Sequence, residues 1–311
     1  MSDHPAPSAR ARALVRGAYD THVHVAPDVM ARRIDDVDLA YRCAEVGLAG
    51  FVLKSHYVAT AERAAVVRKV VPGVDTLGAI TLNGAMGGIN PVAVEVAARQ
   101  GARIVWMPTV DSGNQRRNTA ADLPGATPAM WGAFQADLHS QGIVPEPVEV
   151  VDDEGRVLER VRQVLRVIAR HDITLATGHL SGDEIVAVVR AAREERVRRI
   201  VVTHPEFTSQ RLPAEQQREL AEAGALLERC FTTPHSGKVA WLELFATIRA
   251  VGTAHSVLSS DLGQPFNPPV EDGLALFADR LLDAGFTDEE IHVMAVVNSR
   301  RLAMPKATVP A

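Results

Sequence analysis

The sequence is short of cysteine, of basic charge and of long apolar runs, and each shortage excludes a class of protein. Two cysteines in 311 residues, Cys43 and Cys230, are too few for a disulfide framework or a zinc ribbon, so we expect a cytoplasmic setting. A net charge of −5 argues against a nucleic-acid partner held on a basic face. No apolar run approaches the roughly 18 residues of a membrane span, and we do not expect residues 1–16 to be a signal peptide, because they have no continuous apolar core. We therefore expect a soluble protein without membrane contact.

What the sequence has instead is a regular alternation of short apolar runs and amphipathic segments. Runs such as Phe51-Val52-Leu53 and Ile200-Val201-Val202 are continuously apolar, which is typical of parallel strands covered on both faces. Eight such strands, each followed by a helical segment, predict a TIM-type (β/α)8 barrel of the α/β class in a single domain. An open doubly wound sheet remains an alternative, since sequence does not show closure. The predicted strands are Ala18–Val23, Gly50–Lys54, Thr76–Leu82, Arg103–Met107, Ile173–Thr177, Arg199–Thr203, Ala225–Phe231 and Ser256–Ser260.

We place the barrel at residues 18–305, between an N-terminal extension at 1–17 and a tail at 306–311. A long segment at about 109–155 separates the fourth strand from a helix predicted over Arg156–Ala169. We interpret this segment as an excursion over one mouth of the barrel that ends in a small hairpin at Asp152-Asp153-Glu154-Gly155. An apolar face on the excursion would suit a homo-oligomer, a question that the sequence leaves open.

The informative residues are histidines and an aspartate at the ends of four predicted strands. The first strand ends in His22-Val23-His24, where strand alternation puts both imidazoles on one face. His179 ends the fifth strand, His204 the sixth and Asp261 the eighth. Barrel enzymes build their active sites at the carboxyl ends of the strands. A single histidine there is more often a hydrogen-bonded core residue, but the matching positions of all five predict a metal site.

Imidazole nitrogens and a carboxylate oxygen are ligands that suit a divalent transition metal. We expect zinc first, with manganese, iron or nickel as alternatives, and one or two ions. Such a metal lowers the pKa of a bound water to about 7, and Asp261 would act as general base toward that water. The predicted protein is therefore a hydrolase with a small-molecule substrate.

These strand ends also carry a family resemblance. The segments Tyr19–His24, Gly178-His179, Thr203-His204 and Ser260-Asp261 resemble the amidohydrolase superfamily of metal-dependent hydrolases, as does the final helix up to Leu302. The resemblance covers about 19–304 and is nearest to a poorly characterised branch. It implies His22 and His24 on one metal, His179 and His204 on a second or shared metal, and Asp261 as ligand and base.

One departure from the superfamily concerns the bridge between paired metals. Members commonly bridge them with a carboxylated lysine or a glutamate from the fourth strand, which here ends Trp106-Met107-Pro108-Thr109. The second strand instead ends Lys54-Ser55-His56, and a lysine emerging from an apolar strand is unusual. We expect Lys54, carboxylated or not, or His56 to provide the missing ligand. A lysine that pairs with a carboxylate or binds substrate is the competing interpretation.

Several further residues are candidates for substrate binding. Arg32 and Arg33 follow the first strand and would hold an anionic group by bidentate hydrogen bonds, although surface arginines are the commoner case. Asn83 follows the third strand, in a glycine-rich loop that lacks a phosphate-binding pattern. His235 and Lys238 follow the seventh strand.

The sequence thus predicts hydrolysis of an amide, cyclic amide, lactone or similar carbonyl bond by metal-activated water. A metal-dependent deaminase or decarboxylase on the same barrel is one alternative. A phosphoesterase of the polymerase-and-histidinol-phosphatase type is another, favoured by His56. It is disfavoured because such sites usually close with Asp-x-His, where this chain has Asp261-Leu262-Gly263. The third alternative is a barrel that binds a ligand without catalysing a reaction.

Overall fold

The computed structural model describes residues 4–118, 120 and 122–304, and its central feature is one sheet of eight parallel strands. The strands pair in chain order, so the predicted barrel is confirmed. Each strand ends within one residue of its predicted bounds. The strands are β1 Tyr19–Val23, β2 Gly50–Leu53, β3 Asp75–Thr81, β4 Ala102–Trp106, β5 Thr174–Ala176, β6 Arg199–Val202, β7 Leu226–Cys230 and β8 Ser256–Ser259. The predicted tail at 306–311 lies outside the described residues.

The sheet closes where the chain after β8 returns to β1. Val23 forms a parallel bridge with Leu262. The backbone N–H of His24 donates to Leu262 O, and that of Asp261 donates to His22 O, each at 2.8 Å. Closure removes the alternative of an open doubly wound sheet. It also brings His22, His24 and Asp261 to one corner of the barrel mouth.

Helices cover the outside of the barrel, and several begin at caps that can be identified in the sequence. The Asn90 side chain accepts from the N–H groups of Val92 and Ala93, with Pro91 as the first helical residue. The helices are α1 Ala9–Leu14, α2 Asp36–Val46, α3 Ala61–Val70, α4 Pro91–Arg99, α5 Gly113–Arg117, α6 Met130–Ser140, α7 Glu159–Arg170, α8 Gly182–Glu194, α9 Ala214–Glu222, α10 Thr232–His235, α11 Trp241–Val251, α12 Gly273–Asp283, α13 Asp288–His292 and α14 Asn298–Ala303. In the described part of the chain, no helix is long and apolar enough to cross a membrane.

The excursion between β4 and β5 has two helices of its own, α5 and α6, and ends in the expected hairpin turn. Val151 forms an antiparallel bridge with Val157, and the Leu158 N–H donates to Val150 O. This pairing corrects one predicted boundary. The helix expected from Arg156 begins at Glu159, because residues 156–158 pair with the chain before the turn.

The two ends of the barrel differ in what covers them. Apolar side chains such as Trp106 and Ile104 fill the interior. At the N-terminal end, α14 packs across the strands: the Tyr19 N–H donates to Ser299 Oγ, and Thr174 Oγ1 donates to Leu302 O. The predicted functional residues therefore lie at the opposite, carboxyl end of the strands.

Gly178 shapes the turn that carries His179 into that end. Its φ is 63°, and a Cβ there would lie 2.4 Å from both Met107 O and Pro108 O. Glycine alone fits this conformation and this approach. We expect Gly178→Ala to lower the free energy of unfolding by more than about 1 kcal/mol, measured by urea denaturation. Gly132→Ala is the control, because an added Cβ there meets nothing within 4 Å; equal stability of the two variants would contradict the prediction.

Candidate metal centre

Two histidines of the β1 end and an aspartate after β8 form the middle of the predicted cluster. His22 Nε2 lies 3.1 Å and His24 Nε2 lies 3.2 Å from the same Asp261 Oδ1. One ligand atom from each residue lies within 4.8 Å of the other two. Because the converging atoms are imidazole nitrogens and a carboxylate oxygen, this set fits a divalent transition metal.

Three further histidines complete a ring around the mouth. His56, after β2, stacks on His24 with ring centroids 5.1 Å apart. His179, after β5, lies 5.0 Å from His204, after β6, and His204 lies 6.0 Å from His22. All five imidazoles are buried. The structure therefore brings every histidine proposed as a ligand into one cluster.

Most of these imidazoles are held at Nδ1 by an oxygen atom, which is the usual arrangement of a metal-binding histidine. The pairs are His22 with Glu228 Oε1 at 3.2 Å, His56 with Thr109 Oγ1 at 2.9 Å, His179 with Gln115 Oε1 at 3.0 Å and His204 with Gln210 Oε1 at 3.1 Å. For His56, His179 and His204, Nε2 has no hydrogen bond to any described residue. Rings fixed in this way keep one nitrogen for a ligand.

Lys54 reaches the same cluster from the end of β2. Its Nζ lies 2.8 Å from His22 Nε2 and 5.3 Å from the centroid of the Trp106 ring. Trp106 ends β4, so an indole occupies the strand end from which the superfamily resemblance would predict a bridging residue. Lys54 is buried, and no carboxylate pairs with it in the described residues. A plain structural ion pair therefore does not account for it.

Burial sets the charge of four of the histidines. It lowers the pKa of His24 to about 3 and that of His204 to about 4. It also holds the pKa values of His56 and His179 well below the usual range. These imidazoles are neutral at neutral pH, and the neutral form is the one that binds a metal.

His22 and Asp261 shift each other's pKa at the centre of the cluster. Burial disfavours the His22 imidazolium, but the carboxylates of Asp261 and Glu228 outweigh it and raise the His22 pKa to about 9. Burial also disfavours the Asp261 carboxylate, yet His22 and His24 hold its pKa well below the usual range. Asp261 is therefore deprotonated at neutral pH and available to a cation or to a proton.

Two of the site residues have an unusual backbone. His204 has a φ of 24° and Asp261 a φ of 53°. Residues other than glycine seldom adopt positive φ, and such strain is concentrated at functional sites. Strain at two proposed ligands is an argument for function that does not depend on their chemistry.

The cluster opens into a cavity at the carboxyl end of the strands. Of the five predicted substrate contacts, Arg32 and Lys238 line this cavity. Trp131 of the excursion and Phe207 after β6 are among its apolar lining residues, and Lys54 lines it as well.

The other three predicted substrate contacts are not among the cavity-lining residues. Arg33 Nη1 donates to the carbonyl oxygens of Pro265 and Asn267. Asn83 is buried and donates to Thr109 Oγ1 at 2.7 Å, which in turn faces His56. The ring of His235 stacks on Phe231, with centroids 4.9 Å apart. Asn83 thus holds Thr109, the residue that contacts His56. Arg33 links the loop after β1 to the loop after β8.

Sequence reasoning did not identify the residues that orient the histidines. Only Glu228 carried a signal, because it is a charged residue in the middle of a predicted strand. Gln115 lies in the short helix α5 and Gln210 in the loop after β6, while Thr109 is the third residue after β4. Their role depends on loop conformation, which local sequence does not encode.

Glu228 provides a test of this orienting shell. Its Oε1 contacts His22 Nδ1 and accepts from Ser259 Oγ at 2.9 Å, and the buried Oε2 has no partner in the described chain. We expect Glu228→Gln to weaken metal binding by roughly 10- to 100-fold, measured by competition with a chromophoric chelator. Glu243→Gln, on the exposed face of α11, is the control. Equal metal affinity of the two variants would show that Glu228 does not contribute to metal binding.

Comparison with known structures finds proteins that have the same fold as this chain. The probable dipeptidase PvdM from Pseudomonas aeruginosa aligns with a TM-score of 0.60 at 13% identity, over 94% of this chain and 96% of that one. An amidohydrolase from the same organism gives 0.56 at 11% identity, over 96% and 99%. A 2,6-dihydroxybenzoate decarboxylase gives 0.52 at 12% identity, over 92% and 98%. These are proteins of the amidohydrolase superfamily, so the predicted resemblance is confirmed in the fold.

Sequence comparison is more limited. No curated protein matches the chain. One family profile does match, over residues 17–228, which is more than half of the chain and includes β1 through most of β7. The protein therefore belongs to the Family of unknown function (DUF6282).

Proposed function

We propose that this protein is a metal-dependent hydrolase that cleaves an amide, cyclic amide, lactone or similar carbonyl bond. The observation that supports it best is the convergence of His22 Nε2 and His24 Nε2 on Asp261 Oδ1, at 3.1 and 3.2 Å, inside a ring of buried histidines. The superfamily fold agrees with this proposal, since its members include a probable dipeptidase and an amidohydrolase.

The proposed ligands divide into two groups. His22, His24 and Asp261 would hold one divalent ion, with zinc as the first choice. His179 and His204 would hold a second ion or share the first, and Lys54 or His56 would complete the set from β2. When bound, the metal lowers the pKa of water and polarises a carbonyl oxygen.

Asp261 is the proposed general base. Its carboxylate is deprotonated at neutral pH and lines the cavity. It would accept the proton that water loses as the new C–O bond forms. The same proton would pass to the nitrogen or oxygen that leaves when the acyl bond breaks. Trp131 and Phe207 would limit the access of bulk water to this site.

Decarboxylation is the second candidate reaction. The observation that favours it is the common fold with 2,6-dihydroxybenzoate decarboxylase, a protein that acts on an anionic substrate. It would use the same ligands but needs no base toward water. Release of CO2 instead of hydrolysis products would separate the two reactions.

Elemental analysis tests the proposal first. Protein purified without a metal-chelating tag should hold about one or two equivalents of a transition metal. His179→Ala should hold less, while His292→Ala, on the exposed side of α13, should match wild type. Hydrolysis is then measured on a panel of amides, cyclic amides and lactones. A wild-type protein that holds no metal and takes up neither zinc nor manganese would refute the proposal.

The setting of this reaction is part of the proposal. Both cysteines are unpaired and buried, which agrees with a reducing, cytoplasmic compartment. The net charge of −5 favours a small-molecule substrate over nucleic acid.

A further inference from the structure

The cavity above the histidine cluster is lined by cationic and by aromatic side chains. Arg32 and Lys238 line it from the loops after β1 and β7, and Asn267 from the loop after β8. These strands are consecutive in the closed barrel, so Arg32 and Lys238 belong to the same part of the rim. Trp131 lines the cavity from the excursion, and Phe207 from the loop after β6.

Arg32 has hydrogen-bond donors left over. Its side chain is 3% exposed, and it pairs with Asp28 through Nε at 2.8 Å and Nη2 at 2.7 Å. Nη2 also lies 3.4 Å from His24 Nδ1. A guanidinium has five N–H donors, and Nη1 has no partner among the described residues. Part of a buried cation is therefore available to the cavity.

Lys238 is in the same situation. Its side chain is 5% exposed and pairs with the Asp122 carboxylate of the excursion. An ammonium has three donors, and Asp122 is the only side-chain partner of this one in the described chain. Among the described residues, Asp261 is the one carboxylate that lines the cavity, and it is already in contact with His22 and His24, so the remaining donors of Arg32 and Lys238 have no carboxylate partner there.

We infer that the cavity selects a small substrate with a carboxylate at one end and an apolar, preferably aromatic, group at the other. Arg32 and Lys238 bind the carboxylate, and Trp131 and Phe207 pack against the apolar group. This inference rests on the proposed function for the position of the reacting bond, which lies between the two ends over Asp261. The anion site itself consists of protein side chains and does not need the metal.

Three probes of the same shape test the charge preference: 3-phenylpropionate, 3-phenyl-1-propanol and 3-phenylpropylamine. None has a bond that a hydrolase cleaves. By isothermal titration of the purified protein, the carboxylate should bind about tenfold or more tightly than the alcohol, and the amine more weakly still. Lys238→Met and Arg32→Gln should each remove about tenfold of the carboxylate affinity and leave the alcohol affinity unchanged.

The controls remove equal charges elsewhere. Lys69→Met on α3 and Arg218→Gln on α9 are exposed positions and should bind all three probes like wild type. Lys238 contacts no histidine of the cluster in the described residues, so its variant tests the anion site separately from His24. Thermal unfolding of each variant checks that the fold is intact.

Metal removal separates this inference from the proposed function. A carboxylate preference that survives dialysis against a chelator, and is lost in Lys238→Met, supports the anion site. This support for the anion site holds even if the wild-type protein contains no metal. That result would refute the proposed hydrolase function and leave the anion site standing. A preference that disappears with the metal while both variants bind normally would overturn the inference and leave the hydrolase standing. Failure of wild type to bind any probe would also overturn it.

Discussion

Asp261→Asn should lower kcat/KM by on the order of a thousandfold and leave the fold intact. The carboxamide keeps the size of the side chain but cannot accept a proton. It also presents one neutral oxygen where Asp261 Oδ1 now faces both His22 Nε2 and His24 Nε2. Metal content should therefore fall as well. Rates are measured on the panel substrate that wild type hydrolyses best, after the variant has been reloaded to wild-type metal content.

Restoring the metal content of the variant separates the role of Asp261 as a base from its role as a metal ligand. Asp283→Asn, at the exposed end of α12, loses the same charge and should keep wild-type rates. Because the imidazoles hold the Asp261 pKa well below its usual range, the wild-type base should remain deprotonated as the pH falls through that range. A reloaded Asp261→Asn protein with wild-type turnover would place the base elsewhere, with Lys54 as the next candidate.

Much of the fold and of the proposed ligand set could be predicted because both depend on strands buried on two faces. Such strands are continuous apolar runs, so a polar residue at their end is conspicuous. His179 after β5 and His204 after β6 are far apart in the sequence, yet parallel strands in a barrel bring their carboxyl ends together. The rings of these two histidines lie 5.0 Å apart.

The loops could not be predicted in the same way. Gln115 and Gln210 orient His179 and His204 from the excursion and from the loop after β6. Their positions follow from long-range packing of the loops, which leaves no periodic signal in the sequence. The start of α7 was misplaced for a similar reason, because Val157 pairs across the turn with Val151. The contact between Val157 and Val151 outweighs the helical propensity of residues 156–158.

Lys54→Met should remove about one of two metal equivalents and lower turnover by on the order of 100-fold or more. The reason is geometric: Nζ lies 2.8 Å from His22 Nε2, an atom proposed to bind the metal, and the strand end of β4 holds the Trp106 ring instead of a carboxylate. Methionine retains the packing over that ring and removes the amine. Metal content is measured by elemental analysis, beside the surface variant Lys69→Met.

Lys54→Arg distinguishes the two roles left open for this lysine. An amine can take up CO2 with loss of a proton and become a carbamate ligand, whereas a guanidinium keeps its charge and does not. If Lys54 bridges as a carbamate, the arginine variant fails like the methionine variant, and metal uptake by the metal-free wild-type protein increases with added bicarbonate. If Lys54 acts on the substrate as a cation, both variants keep full metal content and lose turnover. Full metal content together with full turnover in Lys54→Met would exclude both roles.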